Sequence, residues 1–214
     1  KSAEAGVGFS VKNDLVPAIG NEVAFSLSNV EFSGLIPAVD ATIIIGLKDK
    51  AKMDKVVSGI ERLMTNMMAA QSSDDETSGP AFKTEDVDGQ TVKYAEVQGL
   101  AGFTPGYVLT DEYLFVGSTK AALSGALKAN SGGKNLVAGA ALTKLGHGLS
   151  ANANVVQYVD IAKIMDIAKQ ISGAIPAAKN AGKYIDAVNV IDASGSNTRV
   201  EDGGVVGRGV LKLK

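Results

Sequence analysis

The sequence predicts an α+β fold, with a mainly antiparallel or mixed sheet and helices packed on one face. Pairs of strand patterns run between single helix patterns, which is typical of hairpins rather than of a doubly wound parallel sheet. The chain has 25 glycines but only 6 phenylalanines and 5 tyrosines, which favours close packing of helix on sheet through small side chains. We expect a single α+β domain over residues 1–214.

A unit made of an apolar strand, a capping residue, a variable residue, an alanine and a helix pattern occurs three times. A capping side chain after a strand marks a helix start, because its oxygen accepts a hydrogen bond from an amide that the helix leaves unpaired. The pattern predicts a repeated local structure and does not indicate a function. The three copies run from Thr42–Leu47 into Asp49-Lys50-Ala51, from Leu114–Gly117 into Thr119-Lys120-Ala121, and from Val155–Val159 into Asp160-Ile161-Ala162.

The N-terminal part of the chain predicts a short helix followed by two strands. The pattern Leu15–Ile19 follows Asn13-Asp14 and precedes Gly20, a residue type that commonly ends a helix. Ala38–Leu47 is apolar and rich in isoleucine, which favours a central strand. A half-buried strand is expected from Glu22 to Asn29, because apolar side chains alternate along it and share one face: Val23, Phe25 and Leu27.

The longest helix is expected directly after Asp49, with about five turns. Apolar residues recur there at helical spacing: Met53, Val56, Val57, Ile60, Leu63, Met64 and Met67. A polar, acidic loop over residues 71–80 follows this helix. Two hairpins come next, the first turning through an Asp-Gly pair: Phe82–Asp86 with Thr91–Val97, and Gly106–Thr110 with Tyr113–Gly117.

The second half of the chain predicts several further helices and a C-terminal hairpin. A small helical piece is expected near Ala140–Leu145, and a separate helix over Ala177–Ala187. One helix is expected over Lys120–Ala129, and another begins at Ile161 and is kinked or ended by Pro176. The hairpin pairs Val188–Gly195 with Val205–Leu213.

Composition excludes several classes of function. The chain has no cysteine, which excludes thiolate zinc sites, iron-sulfur clusters and cysteine nucleophiles. Its 21 basic and 23 acidic residues give a net charge of -2 with no basic run, so nucleic acid is not an expected partner. The sequence has no run of about 18 apolar residues, so we expect no membrane span in this chain.

Three segments together resemble a bacterial family: Asp14–Phe25, the strand–Asp-Lys-Ala–helix unit at 42–60, and Tyr113–Leu123. The family is domain of unknown function three-three-five-two, and the resemblance covers most of the chain. It implies an extracytoplasmic setting, periplasmic or at the cell surface, since members are often exported or lipid-anchored. It brings no functional residues with it. Because the chain begins at Lys1 rather than at methionine, we expect it to be a piece of a longer protein. The resemblance implies that this piece is the C-terminal portion of an exported protein.

No combination of acid, base and nucleophile emerges from the residues, so we expect no enzymatic activity and no cofactor. The one histidine, His147, stands between glycines, where a solvated side chain is the usual role. Ser131–Lys134 has the S-x-x-K spacing of penicillin-recognising enzymes but lacks their companion motifs. Gly132–Asn135 lacks the first glycine of a phosphate loop, and the glycines of Gly203–Gly209 belong to a predicted hairpin.

Two acidic clusters are candidate calcium ligands, Asp74–Glu76 and Glu85-Asp86 with Asp88. Neither alternates its oxygen ligands around a fixed glycine, as recognisable calcium loops do. We therefore expect both clusters to be solvated, and no metal site follows from the sequence.

Two functions from different classes remain open. The first is a non-enzymatic extracytoplasmic domain, serving as a structural or protein-binding module of the cell envelope with an unidentified protein or envelope partner. The second is a binding module for a lipid or other hydrophobic small molecule, held between the methionine-rich helix and the sheet. The commoner role of such methionines is to fill gaps in a core. The residues that would line the ligand are Met53, Ile60, Met64, Met67 and Met165.

Overall fold

The computed structural model describes residues 6–31, 38–71, 82–96, 102–132, 145, 153–174 and 190–214. It has helices and antiparallel sheets, which confirms the predicted α+β class. By their internal contacts the residues divide into two units, a first unit, Lys1–Ser131, and a second unit, Gly132–Lys214. The sequence analysis did not separate these units, and its single domain over residues 1–214 stays a prediction.

The first unit contains a six-stranded sheet with the order β1-β2-β6-β5-β4-β3, and all neighbouring strands are antiparallel. The hairpin β3–β4 turns through Asp88 and Gly89, which both have positive φ, as the Asp-Gly signal predicts. The strands are β1 (Ile19–Glu31), β2 (Ala38–Leu47), β3 (Lys83–Val87), β4 (Gln90–Tyr94), β5 (Gly106–Leu109) and β6 (Tyr113–Gly117).

In the described part of the first unit, the helical segments with defined bounds are three. The segment α1 consists of a π-helical turn, Val11–Leu15, followed by the short α-helix Val16–Ala18. The long helix α2 covers Lys50–Gln71, and α3 covers Lys120–Asn130. Gly20 directly follows Ile19, the C-cap of this helix, and already lies within β1, where a Cβ on it would lie 2.9 Å from the carbonyl oxygen of Gly46. The glycine therefore serves the close approach of β1 to β2.

The helices α2 and α3 pack on opposite faces of the six-stranded sheet. Adjacent residues of a strand point to opposite faces, and Leu114 and Phe115 are adjacent in β6. Leu114 joins the core of α2, and Phe115 joins the core of α3. This arrangement differs from the expectation of helices on one face. The α2 core contains Ala18, Met53, Val56, Val57 and Leu114, and the α3 core contains Val92, Tyr94, Val108, Phe115, Leu123 and Leu127.

Each of the three predicted capping side chains accepts a hydrogen bond from the amide three residues later. Asp49 Oδ1 lies 3.0 Å from the Lys52 nitrogen, Thr119 Oγ1 lies 3.0 Å from the Ala122 nitrogen, and Asp160 Oδ1 lies 2.8 Å from the Lys163 nitrogen. These bonds satisfy amides that the first helical turn leaves unpaired. Similar caps do not make the three segments copies of one another, and an internal repeat is not confirmed.

The second unit contains a three-stranded antiparallel sheet with the order β7-β8-β9. Its helix α4 (Ile161–Ala174) begins directly after β7. The predicted C-terminal hairpin is confirmed, with Asp202 and Gly203 between its strands and a positive φ at Gly203. The strands are β7 (Val155–Asp160), β8 (Ile191–Glu201) and β9 (Gly204–Leu213).

Candidate functional site

The five residues predicted to line an apolar ligand lie in both units. Met53, Ile60, Met64 and Met67 belong to α2, and Met165 belongs to α4 in the second unit. Met53 is fully buried in the α2 core, whereas Ile60 is 44% exposed. Met64 and Met165 are half-buried, and the Met67 side chain lies outside the described residues. Met53 thus fills the space between helix and sheet, and a lipid site along these residues stays a prediction.

Several other sequence candidates fall on residues that the structure does not describe: His147, Asp74–Glu76, Gly133 and Lys134. Ser131 is described, and its hydroxyl donates to the carbonyl oxygen of Lys128 at 3.2 Å. In the described residues, no group of three or more histidine, cysteine, aspartate or glutamate side chains could hold a metal ion.

The acidic residues around the β3–β4 turn all have partners. The Glu85 carboxylate lies 2.6 Å from Lys120 Nζ, and Asp86 Oδ1 accepts a hydrogen bond from the amide of Gly89 at 3.1 Å. Asp88 Oδ2 lies 4.0 Å from Lys128 Nζ. These contacts join the turn to α3 and organise the hairpin.

An apolar surface lies on the face of the sheet that α2 covers only in part. Phe25 of β1 is directly opposite Ile43 of β2, and Ile43 is directly opposite Val116 of β6, so the three side chains form one row. Val23 and Leu27 flank Phe25 on the same face of β1. We call these five residues the β1 face.

The side chains of the β1 face are solvent-exposed in the structure. Phe25 is 69% exposed, Val23 65% and Leu27 57%, and Ile43 and Val116 are also exposed. The predicted half-buried strand Glu22–Asn29 is confirmed as a strand, since it lies within β1, but its predicted burial is wrong. Contiguous apolar residues at a surface are typical of an interaction site.

The direction of α2 explains why this surface is uncovered. Early in the helix, Met53 packs near Leu114 of β6. About two turns later, Glu61 contacts Tyr107 of β5 and Lys93 of β4. The helix therefore crosses the sheet away from β1, since β5 and β4 follow β6 on the side opposite to β1 and β2.

Strand β1 is also an edge of the sheet. Among the described strands it has a neighbour, β2, on one side only. Natural edge strands are commonly protected by lysine, proline or bulges. β1 contains no lysine, arginine or proline. Its pairing with β2 is regular from Val23 to Leu27, and the register of the two strands shifts before Val23 and after Leu27. The middle of this edge is thus a regular, uncharged strand of five residues.

A second, polar feature lies where α2 crosses β5 and β4. Tyr107 Oη donates to Glu61 Oε1 at 2.6 Å, and Lys93 Nζ lies 3.1 Å from the same oxygen. Burial, together with the nearby Glu61 carboxylate, raises the pKa of Tyr107 well above its usual value. The phenol therefore stays protonated and acts as a hydrogen-bond donor rather than as a proton-transfer group. A groove of about 400 Å³ adjoins this cluster, lined by Ser58, Glu61, Arg62, Thr65, Phe82, Thr84 and Lys93.

No family model, curated protein or solved structure matches this chain. The resemblance to domain of unknown function three-three-five-two consequently stays a prediction. None of the helices in the described residues is both long enough and apolar enough for a membrane crossing.

The sequence predicts that Val23, Phe25 and Leu27 share one face of a strand, but it does not predict that these side chains are exposed to solvent. The exposure depends on which strand pairs beside β2 and on the path of α2, and both are set by contacts between distant residues. The Glu61, Tyr107 and Lys93 cluster was also missed, because its members come from one helix and two strands and share no spacing in the sequence.

Proposed function

We propose that the first unit is a non-enzymatic protein-binding module that docks an extended segment of a partner protein beside β1. The observation that carries this proposal is the coincidence of an uncharged, regular edge strand with an exposed apolar face. Edge strands accept an added strand through main-chain hydrogen bonds, and alternate side chains supply the specificity. Val23, Phe25 and Leu27 are such alternate side chains.

The polar clusters of the first unit support a non-enzymatic role. Glu61 is held by Tyr107 and Lys93, and Asp14 is held by Lys55 and by the amide of Ser10. Carboxylates bound in this way tie elements together, whereas a general acid or base needs a proton that it can exchange with substrate.

We infer a bacterial extracytoplasmic setting from the family resemblance alone, and a lipoprotein-like attachment to the cell envelope belongs to the same inference.

A strand-forming peptide tests this proposal. The probe is a fluorescein-labelled peptide in which three valines alternate with threonines between terminal lysines, mixed in excess with the protein and followed by fluorescence anisotropy. We expect it to bind, and we expect Phe25→Asp to weaken binding by at least about tenfold, because the charge replaces the central apolar contact of the β1 face.

Two controls distinguish strand addition from non-specific hydrophobic binding. In a matched peptide, prolines replace the threonines and remove the amides that pair with an edge strand, so binding should be lost. In a matched protein variant, Val205→Asp places the same charge on an exposed residue of β9 and should leave binding unchanged. Equal binding of both peptides, or no binding of either at protein concentrations where the chain is monomeric, contradicts the proposal.

A further inference from the structure

We propose that the segment docking beside β1 is the β1 strand of a second copy of this chain, paired antiparallel about a two-fold axis at Phe25. This inference rests on the proposed function and names its partner. Dimers of identical chains most often have two-fold symmetry, in which the same surface of each copy meets itself.

The regular part of β1 has the symmetry that such pairing requires. Its undisturbed pairing with β2 runs from Val23 to Leu27, and Phe25 is the central residue of this run. A two-fold axis at Phe25 places Phe25 opposite its own copy and Val23 opposite Leu27. Each side chain of the run that belongs to the β1 face then faces an apolar side chain of the other copy, whereas on the opposite face Ala24 lies across from Ser26. Aromatic and aliphatic cross-strand pairs stabilise sheets.

The charges of β1 are compatible with this register. Its charged residues, Glu22 and Glu31, both lie outside the regular run. With the axis at Phe25, Glu22 faces Ser28 of the other copy, and the two Glu22 residues lie about 20 Å apart at the usual rise of a strand. That separation exceeds the screening length in physiological salt, so like charges do not oppose the pairing.

The pairing also extends the apolar surface that each copy already has. Ile43 and Val116 continue the row of Phe25 across β2 and β6. Joining two such rows produces one continuous apolar band across the joined sheets, and it pairs two edges that have no second neighbour among the described strands.

Charge substitution at the axis gives the first test. Sedimentation velocity of the wild-type chain should show a dimer, and Phe25→Asp or Phe25→Lys should each raise the dimer dissociation constant by at least about tenfold, because like charges meet across the axis. An equimolar mixture of the two variants should form a heterodimer, because the charges are then opposite. Val205→Asp is the matched control and should sediment like wild type.

Cysteine cross-linking gives the register directly. The chain has no cysteine, so one introduced thiol reports one position. Opposed residues in antiparallel strands have Cα atoms about 4.5–5.5 Å apart, which a disulfide can span. Phe25→Cys should cross-link to itself, Val23→Cys should not, and a mixture of Val23→Cys with Leu27→Cys should cross-link.

The outcomes distinguish this inference from the proposed function. If the wild-type chain stays monomeric up to millimolar concentration while the valine–threonine peptide binds, the inference that a second copy is the partner is wrong and the proposed function stands. A dimer that Phe25→Asp leaves intact, or self-cross-linking of Val23→Cys equal to that of Phe25→Cys, also overturns the inference. Loss of both peptide binding and self-association contradicts both proposals. Circular dichroism of each variant shows whether it is folded.

Discussion

Asp14 joins the N-terminal segment α1 to helix α2. Its carboxylate lies 2.7 Å from Lys55 Nζ and accepts a hydrogen bond from the amide of Ser10 at 2.7 Å, and its side chain is 12% exposed. The hydrogen bond with Lys55 is the main cause that holds the pKa of Asp14 below its usual value, and the Ser10 amide adds to it. The ionised carboxylate is thus favoured in the folded chain over the unfolded one.

This lowered pKa predicts a pH-dependent contribution to stability. The contribution is fully present above the pKa of an unfolded aspartate, about 3.9, and is lost as pH falls through the lower folded value. Asp14→Asn should therefore lower the melting temperature at pH 7, and the difference from wild type should shrink towards pH 3. Thermal unfolding followed by circular dichroism measures both. The same substitution at the exposed turn residue Asp202 is the control, and a difference that grows on acidification would contradict the assignment.

At the scale of elements, the junction between β6 and α3 depends on one threonine. Thr119 Oγ1 accepts the Ala122 amide at 3.0 Å and donates to Asp40 Oδ1 of β2, and the residue is buried. The side chain thereby caps a helix and fixes the end of that helix against a neighbouring strand.

Removing this hydroxyl predicts a measurable loss of stability. Thr119→Ala should lower the free energy of unfolding by about 1–2 kcal/mol, towards the upper end of the range for a lost cap because Asp40 also loses its donor. Urea unfolding followed by circular dichroism gives the value. Thr119→Ser keeps the hydroxyl and is the matched control. Equal losses in both variants would show that the methyl group, rather than the cap, stabilises the junction.

Local elements of this fold follow from the sequence, and their assembly does not. The predicted strand Ala38–Leu47 has the bounds of β2, and the caps Asp49, Thr119 and Asp160 all form, because each depends on neighbouring residues. Leu114 and Phe115, although adjacent, pack against different helices. That assignment depends on pairing across the sheet, as does the exposure of the β1 face, and no local pattern encodes it.

At the scale of the molecule, the two core clusters found among the described residues both lie in the first unit. One joins α1 and α2 to the sheet, and the other joins α3 to the opposite face. Helices of the same unit therefore pack on both faces of the sheet, which is the usual arrangement in a domain that folds on its own.

This arrangement predicts that residues 1–131 fold without the rest of the chain. The fragment should unfold in one cooperative transition in urea, because its helices, sheet and cores depend on contacts within the unit. Phe115→Ala should lower its free energy of unfolding by about 3–5 kcal/mol, since Phe115 is fully buried beneath α3, whereas the exposed Val116→Ala should change it far less. Circular dichroism measures both, and the fragment should still bind the valine–threonine peptide. A fragment that lacks a cooperative transition would show that residues 132–214 are needed to complete the fold of the first unit.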